Sequence, residues 1–232
     1  MITCPICNTQ NHHLRVVCTG CGGFVQQRID TLDLFHTIWR LIESPRKAFH
    51  TIAIAQHKNY SLFLAALSGY AFMALIFWMI KAGDFAVNFL QILIAGIFVS
   101  PLLGLVIYFL HLLFAKITIR AFGISTKFKN LMAVVSYSLV PLIFSAVFVL
   151  PIELATFGIF LFTRSPNPFT LLPYSAFFLF SFDAVLSLWF LIFYVLGIKE
   201  LLDIKTLTAF LISVISIGIT ALTISGLLML FL

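Results

Sequence analysis

The stretch SLFLAALSGYAFMALIFWMI, residues 61–80, contains no charged side chain in twenty positions. A helix must carry about twenty largely apolar residues to cross a hydrocarbon layer roughly 30 Å thick, because each residue advances about 1.5 Å. Residues 61–80 meet that length. Four further stretches do the same: about Ala95 to Ala115, Leu131 to about Leu150, about Pro173 to Gly197, and Leu207 to Phe231. Across the 232 residues, 62% are hydrophobic and 9% charged, whereas about a quarter of a soluble domain is charged. The 27 phenylalanines and a mean hydropathy of +1.12 fit side chains that face lipid. These features exclude an ordinary soluble protein. The expected fold class is an all-α polytopic membrane protein, about five transmembrane helices preceded by a small zinc ribbon.

The span boundaries are less well marked than the spans. Phe85 to Ala115 is long enough for a tilted helix, or for an interfacial segment running into a span, with Ser100-Pro101 as the expected bend. Ile152 to Phe162 is apolar but short, and either extends the third span or returns to the interface.

The ribbon is read from Cys4-Pro5-Ile6-Cys7 and Cys18-Thr19-Gly20-Cys21, two C-x2-C knuckles separated by ten residues. A two-residue gap lets both thiolates of a knuckle face one centre, and Gly20, Gly22 and Gly23 permit the tight turns this needs. Four sulfurs complete a tetrahedral shell, so Cys4, Cys7, Cys18 and Cys21 predict one structural Zn2+ with no coordination position open for catalysis. Paired disulfides are the competing reading, and a reducing compartment argues against them. His12 and His13 are expected to be solvent-exposed loop residues. What the ribbon touches, protein, lipid or nucleic acid, is left open.

Residues 1–28 are thus assigned to the ribbon, 29–60 to amphipathic helices and 61–232 to the membrane domain. In the middle segment Leu32, Phe35, Trp39 and Ile42 recur at helical spacing, and Ser44-Pro45 restarts a second helix with serine as cap and proline at its first position. Phe49 and Ile52 continue the apolar side. These helices either lie in the membrane interface or pack against cytosolic loops.

The net charge of +6 does not indicate nucleic acid, because the basic residues form no stripe with aromatics between them. They sort by loop instead. Arg15, Arg28, Arg40, Arg46, Lys47 and Lys58 precede the first span, Lys116, Arg120, Lys127 and Lys129 follow the second, and Lys199 and Lys205 follow the fourth. Only Lys81 and Arg164 fall on the other side, so the positive-inside rule predicts a cytosolic N-terminus and an external C-terminus. The absence of a visible secretory signal agrees with that orientation.

Asp183, about ten residues into the fourth span, is the ionisable group most costly to place at membrane depth and therefore a candidate for ion binding or proton relay. Its alternative role is packing, through hydrogen bonds to Tyr137, Ser138 or backbone freed by Pro141. His111 and Glu153 lie near span ends and are expected to reach the interface. Ser213, Ser216, Thr220 and Thr223 share a helix face and predict a packing seam. No H-E-x-x-H, phosphate-binding glycine loop, G-x-S-x-G or paired intramembrane carboxylate is visible, and an enzyme is not expected.

From about Asp33 onward the order of features resembles the Yip family of multi-span membrane proteins. The resemblance rests on Leu41-Ile42-Glu43-Ser44-Pro45 followed by Phe49, on Ser136-Tyr137-Ser138-Leu139-Val140-Pro141, and on Phe182-Asp183 through Leu188-Trp189 ahead of Tyr194-Val195-Leu196-Gly197-Ile198. With a zinc ribbon in front, the chain is similar to a prokaryotic member of that group. The resemblance implies a five-span bundle with a cytosolic N-terminus, placed in a prokaryotic cytoplasmic membrane. Eukaryotic relatives work through contacts with Ypt and Rab GTPases. The function expected here is a non-enzymatic scaffold or accessory subunit whose partners are membrane lipids and other membrane proteins or a second copy, with no nucleic acid expected. The alternative is a small-solute or ion transporter using Asp183.

Overall fold

The computed structural model describes residues 1–231. A two-stranded antiparallel sheet opens the chain, β1 (Ile2–Thr3) against β2 (Gln10–Asn11). Two short helices follow, α1 (Leu34–Glu43) and α2 (Pro45–Ile54). Asp33 caps α1 by accepting the His36 N–H at 2.7 Å. Ser44 stands at the head of α2 with Pro45 at the first position, but its side chain makes no capping bond. It also ends α1, where its N–H donates to the Arg40 carbonyl at 2.8 Å, and its backbone, at φ −148° and ψ 73°, departs from the extended conformation of a capping residue such as Asp33.

Five segments are long and apolar enough to cross a membrane, as expected from sequence. They are α3 (Ser61–Ile80), α4 (Phe89–Ala121), the composite Phe128–Phe162, α9 (Pro173–Leu202) and α10 (Thr206–Phe231). The second begins earlier than expected, and its helix continues through Pro101. Proline leaves the carbonyl four residues back without its helical donor. Here the Tyr70 hydroxyl of α3 donates to that Ile97 carbonyl at 3.3 Å.

The third span is broken into α5 (Phe128–Ser138), α6 (Val140–Phe144), a π turn (Ser145–Val149), α7 (Leu150–Phe157) and a 3-10 turn (Gly158–Phe162). Residues 152–162 therefore extend the span. It is also the core of the bundle: 61% of its most apolar window is buried, against 17–28% in the other four. A short helix, α8 (Pro168–Leu171), precedes α9 and is closed by an Asn167 capping box.

Backbones come closest where α3 crosses α4. A Cβ added to Gly104 would lie 2.5 Å from the Ala65 carbonyl, and one added to Gly69 would strike the Ser100 carbonyl. At the other face, α2 is buried beneath α9, with Phe49 meeting Phe193 edge-on at 6.1 Å. The predicted apolar side of α1 divides. Leu32, just ahead of the helix, is buried, whereas Phe35, Trp39 and Ile42 point away from the protein, and the side of α1 that is buried carries Leu41 instead.

The loops separate into two ends. At one, the Asp84 carboxylate accepts the Arg164 backbone N–H at 3.1 Å, which joins the loops after α3 and after the third span. At the other, Lys129 Nζ donates to the Gln56 carbonyl at 2.8 Å. Lys58 Nζ closes α2 at that end by donating to the Ile52 and Ala53 carbonyls, and burial there brings its ammonium down to about 8.

Candidate metal centre and intramembrane carboxylates

Two knuckles of matching hydrogen bonding bring the four cysteines together. In the first, the Cys4 N–H donates to the Thr9 carbonyl at 3.0 Å and Asn8 turns back to Cys4; in the second, the Cys18 N–H donates to Gly23 at 2.8 Å and Gly22 turns back to Cys18. Each turn places one residue in the left-handed region, Asn8 at φ 56° and Gly22 at φ 73°. Of the three glycines singled out in sequence, only Gly22 uses that freedom. Asparagine serves in the other knuckle because its short polar side chain tolerates the same backbone.

The four Sγ atoms lie within 4.8 Å of one another. Cys4 and Cys21 are 3.7 Å apart, Cys7 and Cys18 3.5 Å. Tetrahedral zinc with bonds of about 2.3 Å sets its sulfurs about 3.8 Å apart, so the donor set fits such an ion. The thiols form no disulfide. The Cys21 N–H and the Asn11 amide hydrogen-bond to the Cys18 sulfur and pull its thiol down to about 6, toward the thiolate that ligates metal. Asn11 itself is buried and accepts the Thr19 N–H at 2.9 Å. It therefore supports the ligand loop, as outer partners do at metal sites.

His13 is not the free loop residue that was expected. Its Nε2 lies 2.8 Å from the Glu200 carbonyl in the last turn of α9, where a helix leaves acceptors unpaired. Its Nδ1 is 3.5 Å from Asp203. Gln26 donates to the His13 and Arg15 carbonyls, which turns its Oε1 toward His50 Nε2 at 2.9 Å, while His50 Nδ1 meets the Glu200 carboxylate at 2.9 Å. Both ring nitrogens of His50 are thus engaged, one by α9 and one by the ribbon segment. The ribbon is seated on the end of the fourth span by this network.

Within the membrane domain, Asp183 bonds neither Tyr137 nor Ser138. Tyr137 donates to the Asn59 carbonyl and Ser138 to Val134 of its own helix. The Asp183 partner is Ser145, whose hydroxyl donates to Oδ1 at 2.6 Å, and Glu153 shares the wall of the same cavity. Glu153 does not reach the interface: it is 5% exposed, and its Oε1 has no hydrogen-bond partner. Two carboxylates are therefore paired at membrane depth, contrary to the sequence reading. The cause is α7, which carries the third span past Pro151 and lays Glu153 beside α9.

His111 is likewise buried, its Nδ1 2.9 Å from the Thr220 hydroxyl. Ser213, Ser216 and Thr220 form the expected seam on α10, and Tyr194 of α9 joins it through a 3.2 Å contact with Ser216. Thr223 lies beyond it, bonded only to its own helix.

Neither the curated proteins nor the solved structures provide a match. The family model of the Yip1 domain matches residues 39–228, which takes in α2, all five spans and the paired carboxylates, and leaves the four-cysteine cluster outside. This integral membrane protein belongs to the Yip1 domain family.

Proposed function

We propose that the protein is a non-enzymatic membrane scaffold or accessory subunit, with Cys4, Cys7, Cys18 and Cys21 holding one structural zinc in a ribbon over residues 1–28. The observation that carries this reading is the seating of the four-cysteine unit on α9 through His13, His50 and Glu200. Ribbon and bundle then offer one continuous surface to other membrane proteins. Residues 29–60 cover the same end, and the outward Phe35, Trp39 and Ile42 of α1 suit the lipid interface. Purifying the tagged full chain in mild detergent tests the proposal. A stoichiometric membrane-protein companion supports it. A gradient-driven flux in vesicles that Asp183→Asn abolishes, in protein that elutes alone, replaces it with transport.

The same reading places the ribbon and the N-terminus in the cytosol of a prokaryotic cell and the C-terminus outside. A reporter joined after Leu232 is then expected to read as external and one joined before Met1 as cytosolic. Labelling at Asp84 and Lys127 should fall on opposite sides. Matching sides for the two termini would contradict the arrangement.

Asp183 gives a further expected result. Asp183→Asn keeps an oxygen for the Ser145 hydroxyl and should shift stability by less than about 1 kcal/mol, whereas Asp183→Leu strands that hydroxyl and should cost about 1–3 kcal/mol. Thermal unfolding in detergent compares the two. Equal losses would show that shape matters here more than hydrogen bonding.

A further inference from the structure

Glu153 and Asp183 line a cavity of about 520 Å³ between α3, the third span and α9, with Ile217 of α10 at its wall. That volume lies in the range of small-molecule sites, which are mostly apolar with a few converging polar groups. Only Ser145 and Ser187 add hydroxyls to the two carboxyls. Phe72, Trp78, Phe180 and Phe190 supply aromatic surface.

Charge decides what such a cavity holds. Two carboxyl groups on one wall, each able to give up its proton as a base approaches, can match a cationic head group. Among the described residues, no basic side chain lies within 4.0 Å of either carboxyl group. Lys81, the nearest base in the sequence to the α3 wall, is directed onto the Trp78 ring at 4.1 Å. The buried Glu153 Oε1 has no partner at all. Two carboxyl groups without a basic neighbour, one of them with an idle buried acceptor, suit a cation that brings its own donors.

We propose that this cavity binds an amphiphilic ammonium compound, its cationic head against Glu153 and Asp183 and its apolar body between the aromatic walls. A bare divalent ion suits the site poorly, because calcium takes six to eight oxygens and magnesium six. An ammonium group instead needs two or three acceptors and gains from neighbouring ring faces. The rim favours a ligand already dissolved in the bilayer. Leu75 and Trp78 line the cavity and are also exposed on the flank of the bundle, 54% and 37%, so the opening faces sideways at the depth of α3. This site is independent of the scaffold reading, and either can fail alone.

Equilibrium binding of radiolabelled dodecylamine to the full-length protein in phosphatidylglycerol nanodiscs, with empty discs subtracted, tests the proposal. One saturable site per chain is expected, undisturbed by dodecanol of the same chain length. Glu153→Gln combined with Asp183→Asn should weaken binding at least about tenfold. Ala71→Phe, which narrows the cavity without touching the carboxyl groups, should weaken it as well, so the outcome does not hang on one variant. Replacing part of the lipid with phosphatidylethanolamine assigns the site: competition points to a lipid headgroup, no competition to a free amine, and both support ammonium recognition. The proposal is overturned if dodecanol displaces the probe equally, if calcium displaces it while dodecylamine excess does not displace calcium, or if both variants bind with unchanged affinity.

Discussion

Gly69→Leu is expected to disrupt the bundle more than any other single substitution in the membrane domain. The added side chain meets backbone, the Ser100 carbonyl and the start of the Gly104 peptide, and not the movable end of another side chain. Ordinary overpacking costs 1–3 kcal/mol because neighbours shift; here α3 and α4 would have to separate, so about 3 kcal/mol or more is expected. The Tyr70 bond to Ile97, which offsets the missing donor at Pro101, would be lost with the crossing. Thermal aggregation followed by size exclusion in detergent reads this directly. Gly218→Leu on α10, where an added Cβ meets nothing within 4 Å, is the control and should shift stability by under about 0.5 kcal/mol. Similar melting for both variants would refute the crossing.

The second large effect concerns the metal. One zinc per chain is expected, lost on Cys4→Ser or Cys21→Ser or on strong chelation. The ribbon has two strands of two residues each and little apolar interior, so it cannot fold by burial alone. Zinc binding in comparable small units is worth about 10–16 kcal/mol, and that energy is also the folding energy of the ribbon. Its removal should open residues before α1 to protease and release His13 from Glu200. The spans should remain helical and inserted, because their backbone groups are paired within each helix. Fresh protein without metal, or loss of far-UV helicity on chelation, would contradict this account.

The features legible in sequence were those written locally. Five apolar stretches and two C-x2-C knuckles each lie within one short segment, and periodicity or spacing alone identifies them. The α3–α4 crossing was not anticipated, although it leaves a local mark: Ala65 and Gly69, like Ser100 and Gly104, are small residues four apart on their helices, a pattern that accompanies close approach in membranes. Nor was the carboxyl pair. Glu153 meets Asp183 only because the third span continues through two prolines and a wide turn, and no local pattern records where such an irregular helix will point. The His13 contact joins residues 187 positions apart and depends on where α9 ends. His111 looked like an end residue because the second span is longer, at 33 residues, than its apolar centre suggests.

The wide turn at Ser145–Val149 has a consequence for chain length. Its closing bond runs from the Leu150 N–H to the Ser145 carbonyl, five residues back where an α-helix uses four. One residue is thus surplus to the helical ladder, while the segments on either side keep their faces. Removing Val147, whose side chain is exposed, would let the ladder close as a plain α-helix without rotating Pro141 or Glu153 relative to the bundle. A membrane-spanning helix ordinarily resists deletions, since the loss of one position swings everything beyond it by about 100°. Here the third span carries a built-in place where a single codon can be lost with only a local narrowing beside Ser145. Related chains one residue shorter at this point would still insert and pack, but with the Ser145 hydroxyl drawn away from Asp183.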